Sequence, residues 1–450
     1  MKNTTSLLLI LFGCILFALP LQGQDTTMVR AFSLKEAQDF ALENNLNIKN
    51  AQLNVEQAQK VIWENTALGL PQVTSSFNYN NNLNLMTTLL PGEIIGQPGE
   101  KVEVQFGTQH NAIGTIAANQ LIFSGPYIVG LQAAKIYRES QEQSLQKTEI
   151  DTKELIAQNY YLALLAEETY IIIDSNVLNL QKTLFETQKM YEMGFVEETD
   201  VDQIRVSLIS LENSKRTALS QIEVSYKLLK YQMGIDLNIE IQLKEKLEDI
   251  IVEINLAQTL EDPFNVLNHI DFQLSETREY LAQLNMKRQK AEYLPSLSAV
   301  YNNNWSAMRD EFNFFNPNQK WYYSSVLGFT LDFPIFSSGG RQAKVSQLKI
   351  EYQKAGNTKK LVEDGLILEN QQARSDFISA YQKYLSEKEN VQISKKILDR
   401  TQIKVGEGIT SSLEFTQIND QYLITESNYL TALLELLNAK IRLDKAMNRL

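Results

Sequence analysis

Cysteine and histidine are almost missing: the 450 residues hold one cysteine, Cys14, and two histidines, His110 and His269, far apart in the chain. No HExxH, GxSxG, CxxC or phosphate-loop pattern occurs. An acid, a base and a nucleophile therefore cannot be assembled from sequence neighbours, and neither an enzyme nor a cofactor or metal centre is expected. Basic residues are the minority, 42 against 54 acidic ones, a net charge of −12. That balance argues against nucleic acid and anionic membrane surfaces as partners. Beyond the N-terminal stretch no apolar run reaches the roughly 20 residues that a spanning helix needs.

What is present begins with MKNTTSLLLILFGCILFALPLQGQ. Lys2, the apolar Leu7–Leu19 and the small and polar residues after them read as a secretory signal peptide, residues 1–23, too short to span a bilayer. Cys14 follows LFG, as in a lipoprotein box, but Ile15 to Leu19 stay apolar beyond it, which argues against lipidation. Cleavage leaves an exported chain without cysteine and with a net charge of −13. Mean hydropathy is −0.25. If such a chain sits in a membrane, it must do so as strands.

The remainder reads as two copies of one plan. LPQVTSSFNYNNN (70–82) is answered by LPSLSAVYNNN (294–304), and LIFSGPYIVGLQAAK (121–135) by FPIFSSGGRQAKVSQLK (333–349). A heptad line follows each: Ala157, Leu164, Ile171, Leu178, Phe185, then Phe377, Tyr384, Val391, Leu398, Val405. Leu164 and Phe377 set an offset of 213. Repeats over 24–235 and 263–450, separated by a linker over 236–262, are expected, each running helix, strand pair, long helix, turn, helix.

In the first copy Ser33 and Glu36 have capping-box spacing for a helix running to about Ala67. After Pro71, Val73, Ser75, Phe77 and Tyr79 alternate with Thr74, Ser76, Asn78 and Asn80. Leu297, Ala299 and Tyr301 echo them, and Leu327, Phe329, Leu331 and Phe333 alternate with Val326, Gly328, Thr330 and Asp332. An apolar face opposite a Ser/Thr/Asn/Gly face suits a lipid-facing barrel wall around a wet interior. A half-buried antiparallel sheet in a soluble protein alternates in the same way. The signal peptide and the cluster Trp321, Tyr322, Tyr323, where an aromatic girdle belongs, favour the membrane. LLPGEIIGQPGEKVE reads as a long Gly/Pro-rich hairpin loop.

Four strands cannot close a barrel; about eight is the smallest that can. Three pooled copies give twelve, enough to leave a passage. The long helices, from about Pro126 to Glu192 and Gly340 to Val405, would each reach on the order of 100 Å at 1.5 Å per residue. Helices of that length joined to membrane strands suggest a tube across the periplasm; a fibrous coiled coil is the bland alternative.

The duplicated plan, the LPxxxxxxxxNNN strands, the IFSxG junctions and the GxxxxxD/E turns together resemble the TolC family of outer-membrane efflux and secretion channels, over about residues 30–450. The resemblance implies a mixed α and transmembrane β fold. Four strands from each protomer would form a trimeric 12-stranded β-barrel in the outer-membrane lipid, continued by a long periplasmic α-helical barrel. It implies a homotrimer working with a periplasmic adaptor (membrane fusion) protein and an inner-membrane pump of RND or ABC type, as a passive conduit. A type I secretion conduit for polypeptides, or an exported coiled-coil scaffold, remain the alternatives.

The turns carry the candidate site. Gly194 and Gly408 suit helix C-caps, and Thr199 and Ser411 or Ser412 suit caps of the returning helices. Those helices keep an apolar 3–4 spacing, with Ile204, Leu208, Leu211 and Ala218 in the first copy and Ala432, Leu436, Ala439 and Leu443 in the second. Asp200 and Glu414 each follow their glycine by six residues, in a first helical turn where acids favour the dipole. By resemblance Glu414 lies at a periplasmic aperture, where three copies would form an acidic ring. Gln417 takes the position of the family's other frequent acid. Gly194 with Phe195 and Gly408 with Ile409 resemble adaptor-docking tips. Arg205 and Lys404 are within sequence reach to pair with the tip acids. In the linker, Leu237, Ile239, Ile241 and Leu243 suggest a short strand, and no sizeable C-terminal addition is expected after Leu450.

Overall fold

The computed structural model describes residues 30–96, 99, 101–247, 250 and 263–450. The signal peptide with Cys14, and most of the linker, lie outside the described residues. The chain divides into two compact units: one takes in the chain up to Ala41, Ile156–Ile254 and Ile393–Leu430, the other Leu42–Leu155, Asn255–Gln392 and Thr431–Leu450. Each repeat contributes to both.

The larger unit holds a four-stranded antiparallel sheet of β2 (Gln72–Asn81), β5 (His110–Phe123), β7 (Ser296–Arg309) and β8 (Tyr322–Asp332), in that spatial order. The expected alternation holds along β2, β7 and β8, while in β5 Ile113 and Leu121 fall on the otherwise polar face. Register places Phe77, Gly114 and Trp305 on one face with Tyr323, and Ser76, Thr115, Asn304 and Ser324 on the other. Val73, Phe77, Leu327 and Phe329 are exposed on the apolar face. On the polar face Thr115 Oγ1 donates to Asn304 Oδ1 at 2.8 Å. No helix among the described residues is long and apolar enough to cross a membrane.

The stretch read as a loop in the first strand pair is structured. Met86–Pro91 (β3) and Lys101–Phe106 (β4) pair as a hairpin of their own. In β4, Val102 and Val104 alternate with Lys101, Glu103 and Gln105, a strand pattern that the flanking Gly and Pro residues obscured.

Four helices continue the strands of this unit: α2 (Leu46–Ala67), α3 (Gly125–Glu192), α5 (Ile270–Ala291) and α6 (Gly340–Gly406). The first predicted helix is in fact two, α1 (Leu34–Asn44) and α2, because Asn45 takes an extended backbone and caps α2 through its side chain. Ser33 and Glu36 do form their capping box, with Glu36 N–H donating to Ser33 Oγ at 3.2 Å and Ser33 N–H to Glu36 Oε2 at 2.8 Å. Gly125 is required where α3 starts: a Cβ there would meet Ala291 O at 3.1 Å and Leu294 Cδ1 at 2.8 Å. Lys445 on α7 (Ser412–Ala446) reaches Asp151 at 2.7 Å and Glu154 at 2.6 Å on α3. Burial opposes the Lys445 charge, but its hydrogen bonds to both carboxylates outweigh that and raise the ammonium above the ordinary lysine range.

In the smaller unit β1 (Arg30–Phe32) pairs in parallel with β6 (Ile241–Leu243), so a short linker strand is present. Tyr160 Oη donates to Phe32 O at 3.0 Å from a fully buried position on α3. The helices here are the distal parts of α3 and α6, with α4 (Glu198–Met233) and the first half of α7 returning beside them. Buried Ile204, Leu211, Ala218 and Ser225 on α4 repeat every seven residues, the period of an antiparallel coiled-coil seam.

The duplication is real, but its register is 214, not 213. Gly194 and Gly408, the buried Thr187 and Thr401, and the identical pairs Tyr170/Tyr384, Val177/Val391 and Leu184/Leu398 all share that offset. The predicted heptad lines therefore fall on different faces. Ile171, Leu178 and Phe185 are exposed, whereas Leu398 and Val405 are buried.

Candidate functional site

Both turns of the smaller unit are built alike. Gly194 has φ +77° and Gly408 φ +70°, left-handed values that a Cβ-bearing residue resists. Phe195 N–H donates to Met190 O and Ile409 N–H to Lys404 O, each at 2.9 Å, the long-range bond of a Schellman cap. Phe195 and Ile409, next to the cap glycines, are 77% and 68% exposed, which leaves an apolar side chain at each tip with no burial inside the protomer.

The returning helices start differently from the expectation in one copy. Glu197, not Thr199, is the N-cap of α4, with an extended backbone. Thr199 is already helical, and its hydroxyl donates to Glu197 Oε2 at 3.4 Å. Ser411 caps α7, its Oγ accepting from Glu414 N–H at 3.2 Å. Asp200 and Glu414 thus occupy the third helical position of equivalent caps.

Their surroundings separate them. Asp200 is half-buried; its Oδ2 accepts from Glu197 N–H and its Oδ1 from Ser412 N–H, both at 3.3 Å. It satisfies one orphan donor at the start of α4 and another at the start of α7. Glu414 is exposed, and its Oε2 accepts from Thr410 Oγ1 at 2.8 Å. Gln417 is exposed one turn further on, while Phe415 between them is buried. The suggested pairing of basic residues with the tip acids is not found. Arg205 pairs with Asp202 at 2.7 Å, one turn away on its own helix, and exposed Lys404 makes no ion pair among the described residues. No group of acids, histidines or cysteines among the described residues could hold a metal.

A family model described as outer membrane efflux protein matches residues 38–234 and 266–449, both repeats almost entire. The chain belongs to the outer membrane efflux protein family. Its fold agrees with solved channels at low sequence identity. CusC, described as forming a transmembrane channel, is 17% identical with a TM-score of 0.74, covering 92% of this chain and 91% of that one. The CmeC outer membrane channel of Campylobacter jejuni is 17% identical, TM-score 0.73, covering 92% and 85%. The open-state MtrE outer membrane channel of Neisseria gonorrhoeae is 16% identical, TM-score 0.69, covering 92% and 88%. No curated protein sequence matches. This efflux protein is an outer-membrane channel with a periplasmic helical barrel, a passive conduit rather than an enzyme. Channels of the family act as trimers with partner proteins.

Proposed function

We propose that three copies of this efflux protein work as the outer-membrane exit duct of a tripartite system, joined by a periplasmic adaptor to an inner-membrane pump of RND or ABC type. The observation that carries the reading is the four-stranded sheet, apolar on one face and polar on the other, which is too small to close alone. Pooling three sheets closes a bore lined by the polar face.

Within that duct, Glu414 is the group best suited to the periplasmic aperture. Ser411 already caps its helix, so the carboxylate of Glu414 is not consumed by backbone donors as that of Asp200 is. Three copies would set a ring that attracts cations and repels anions, with neutral Gln417 beside it. Phe195 and Ile409, exposed at the two glycine turns, are the side chains offered to the adaptor. Site-specific photocrosslinking from Phe195 and Ile409 in cells tests the assembly: a single adaptor species captured from both positions is expected. Capture of nothing from either tip, in cells where the trimer is intact, would remove the docking assignment.

A further inference from the structure

The negative balance of the whole chain conceals a local reversal of sign. Four segments of the larger unit join helices to the sheet: 57–71 runs into β2, 124–138 leaves β5, 281–295 runs into β7 and 333–347 leaves β8. Together they hold eight cations and only two acids, Glu64 and Glu292, a net charge of +6 in a chain of −12. One tier further from the strands, residues 42–56, 139–153, 266–280 and 348–362 hold eight cations and ten acids. At the opposite end of the strands, loops 82–109 and 310–321 hold two cations and five acids. The positive collar is therefore confined to one rim of the sheet, where the helices begin.

The collar cations are also mostly uncompensated. Lys135, Lys287, Arg288, Lys290 and Lys344 are exposed and make no ion pair among the described residues. In the next tier, by contrast, Lys147, Lys354, Lys359 and Lys360 all pair with acids. Between the strands and the collar stand exposed aromatic residues. Tyr293 and Phe336, three and four residues from the strand ends, are 50% and 84% exposed. Arg341 lies over the Tyr293 ring, 5.5 Å from its centroid, and donates to Pro334 O at 2.9 Å. Aromatic rings followed by long basic side chains are the order of a membrane interface read outward from the hydrocarbon.

We propose that this collar is a docking surface for anionic phospholipid headgroups of the periplasmic leaflet. The inference rests on the channel reading above, which puts the helices on the periplasmic side of the barrel. Lys290, Arg288, Lys287 and Arg341 lie six to nine residues from the strand ends, about 9–14 Å at helical rise. A headgroup layer is about 5–8 Å deep, and extended lysine and arginine side chains reach back to it. A phosphodiester there meets an ammonium or guanidinium that has no carboxylate of its own. It also relieves the repulsion among neighbouring cations, so lipid and collar stabilise each other. The acidic remainder of the chain stands further off than the roughly 8 Å over which salt screens exposed charges, and does not cancel the attraction.

The test counts the lipids kept by full-length trimers isolated from micelles containing phosphatidylglycerol and phosphatidylcholine in equal amounts, using mass spectrometry of the extract. The wild type is expected to retain the anionic lipid in severalfold excess. Lys287→Gln with Lys290→Gln is expected to cut that excess roughly threefold or more. The charge-matched pair Lys354→Gln with Lys360→Gln, 22 and 28 residues beyond Asp332, is expected to leave it unchanged. An excess lost equally in both pairs, or kept in both, overturns the collar. An unchanged excess with an altered anion-to-cation permeability ratio in the first pair places those cations on the duct wall and likewise overturns the lipid assignment. A wild type without the excess that still conducts as a trimer in planar bilayers overturns the collar and leaves the channel reading intact. A wild type that neither trimerises nor conducts overturns both.

Discussion

Asp200 Oδ1 accepts a hydrogen bond from the backbone N–H of Ser412, 212 residues away, at 3.3 Å. One side chain so ties the start of the second return helix to the start of the first, since its other oxygen accepts from Glu197 N–H. Asp200→Ala should release both donors at a cost of about 1–2 kcal/mol. Native-state amide exchange at Glu197 and Ser412 should then speed up together, by roughly five- to thirtyfold. Acceleration at Glu197 alone would mean that the bond between hairpins contributes nothing.

Glu414→Ala should behave in the opposite manner, leaving the caps intact and changing conduction. Ser411 Oγ still holds the helix start. In planar bilayers the variant should show a higher resting conductance or a blunted block by multivalent cations. If neither changes, Glu414 serves its helix and nothing more.

His269 predicts a pH dependence. It is buried, and its Nδ1 accepts from Asp271 N–H at 3.2 Å to cap α5. Burial lowers its pKa below the ordinary histidine value; nearby Asp271 and Glu369 oppose that shift without reversing it, and Lys147 reinforces it. The unfolded chain therefore binds a proton first. Stability contributed by neutral His269 is full above about pH 6.5 and is lost as pH falls towards the depressed folded value. Denaturation midpoints should drop over that window. His269→Asn, which can still cap, should flatten the dependence; an unchanged slope would point to other groups.

Lys445→Met should cost more than a surface ion-pair change. The ammonium bridges Asp151 and Glu154, and its removal takes a cation away from two acids, of which Glu154 is only 15% exposed. A loss of roughly 3 kcal/mol is expected in chemical denaturation. A double replacement, with Glu154→Gln added, should recover part of it. A loss below about 1 kcal/mol would place the pair among the weak surface kind.

Much of this was legible in the chain because its signals are periodic. Strand alternation, the Ser33–Glu36 box and the two turn glycines each follow from local backbone geometry, and the structure keeps them. The repeat register was misread by one because apolar residues stand at neighbouring positions, such as Tyr170 with Ile171 and Leu184 with Phe185. A one-residue slip still finds an apolar partner, and the turn glycines and identical pairs, together with burial, tell the two apart. Glu197 as a cap was hidden because Thr199 is the commoner capping residue, and tip geometry rather than propensity selects between them. The bond from Asp200 to Ser412 has no sequence signal, since it depends on how two hairpins pack. At Arg205 the nearer acid, Asp202, won over the more distant one.

The polar face of the sheet has a consequence for what the duct can recognise. Along β2, β5, β7 and β8 the side chains on that face are Asn, Gln, Ser and Thr with a few apolar residues; the one charge is Asp332, at the strand end nearest α6. A solute in that section meets hydrogen-bond partners but no fixed charge. With the polar face lining a pooled bore as proposed, the membrane section would be indifferent to the sign of its cargo, and a selectivity set at the hairpin tips could change without disturbing the wall that holds the protein in the lipid.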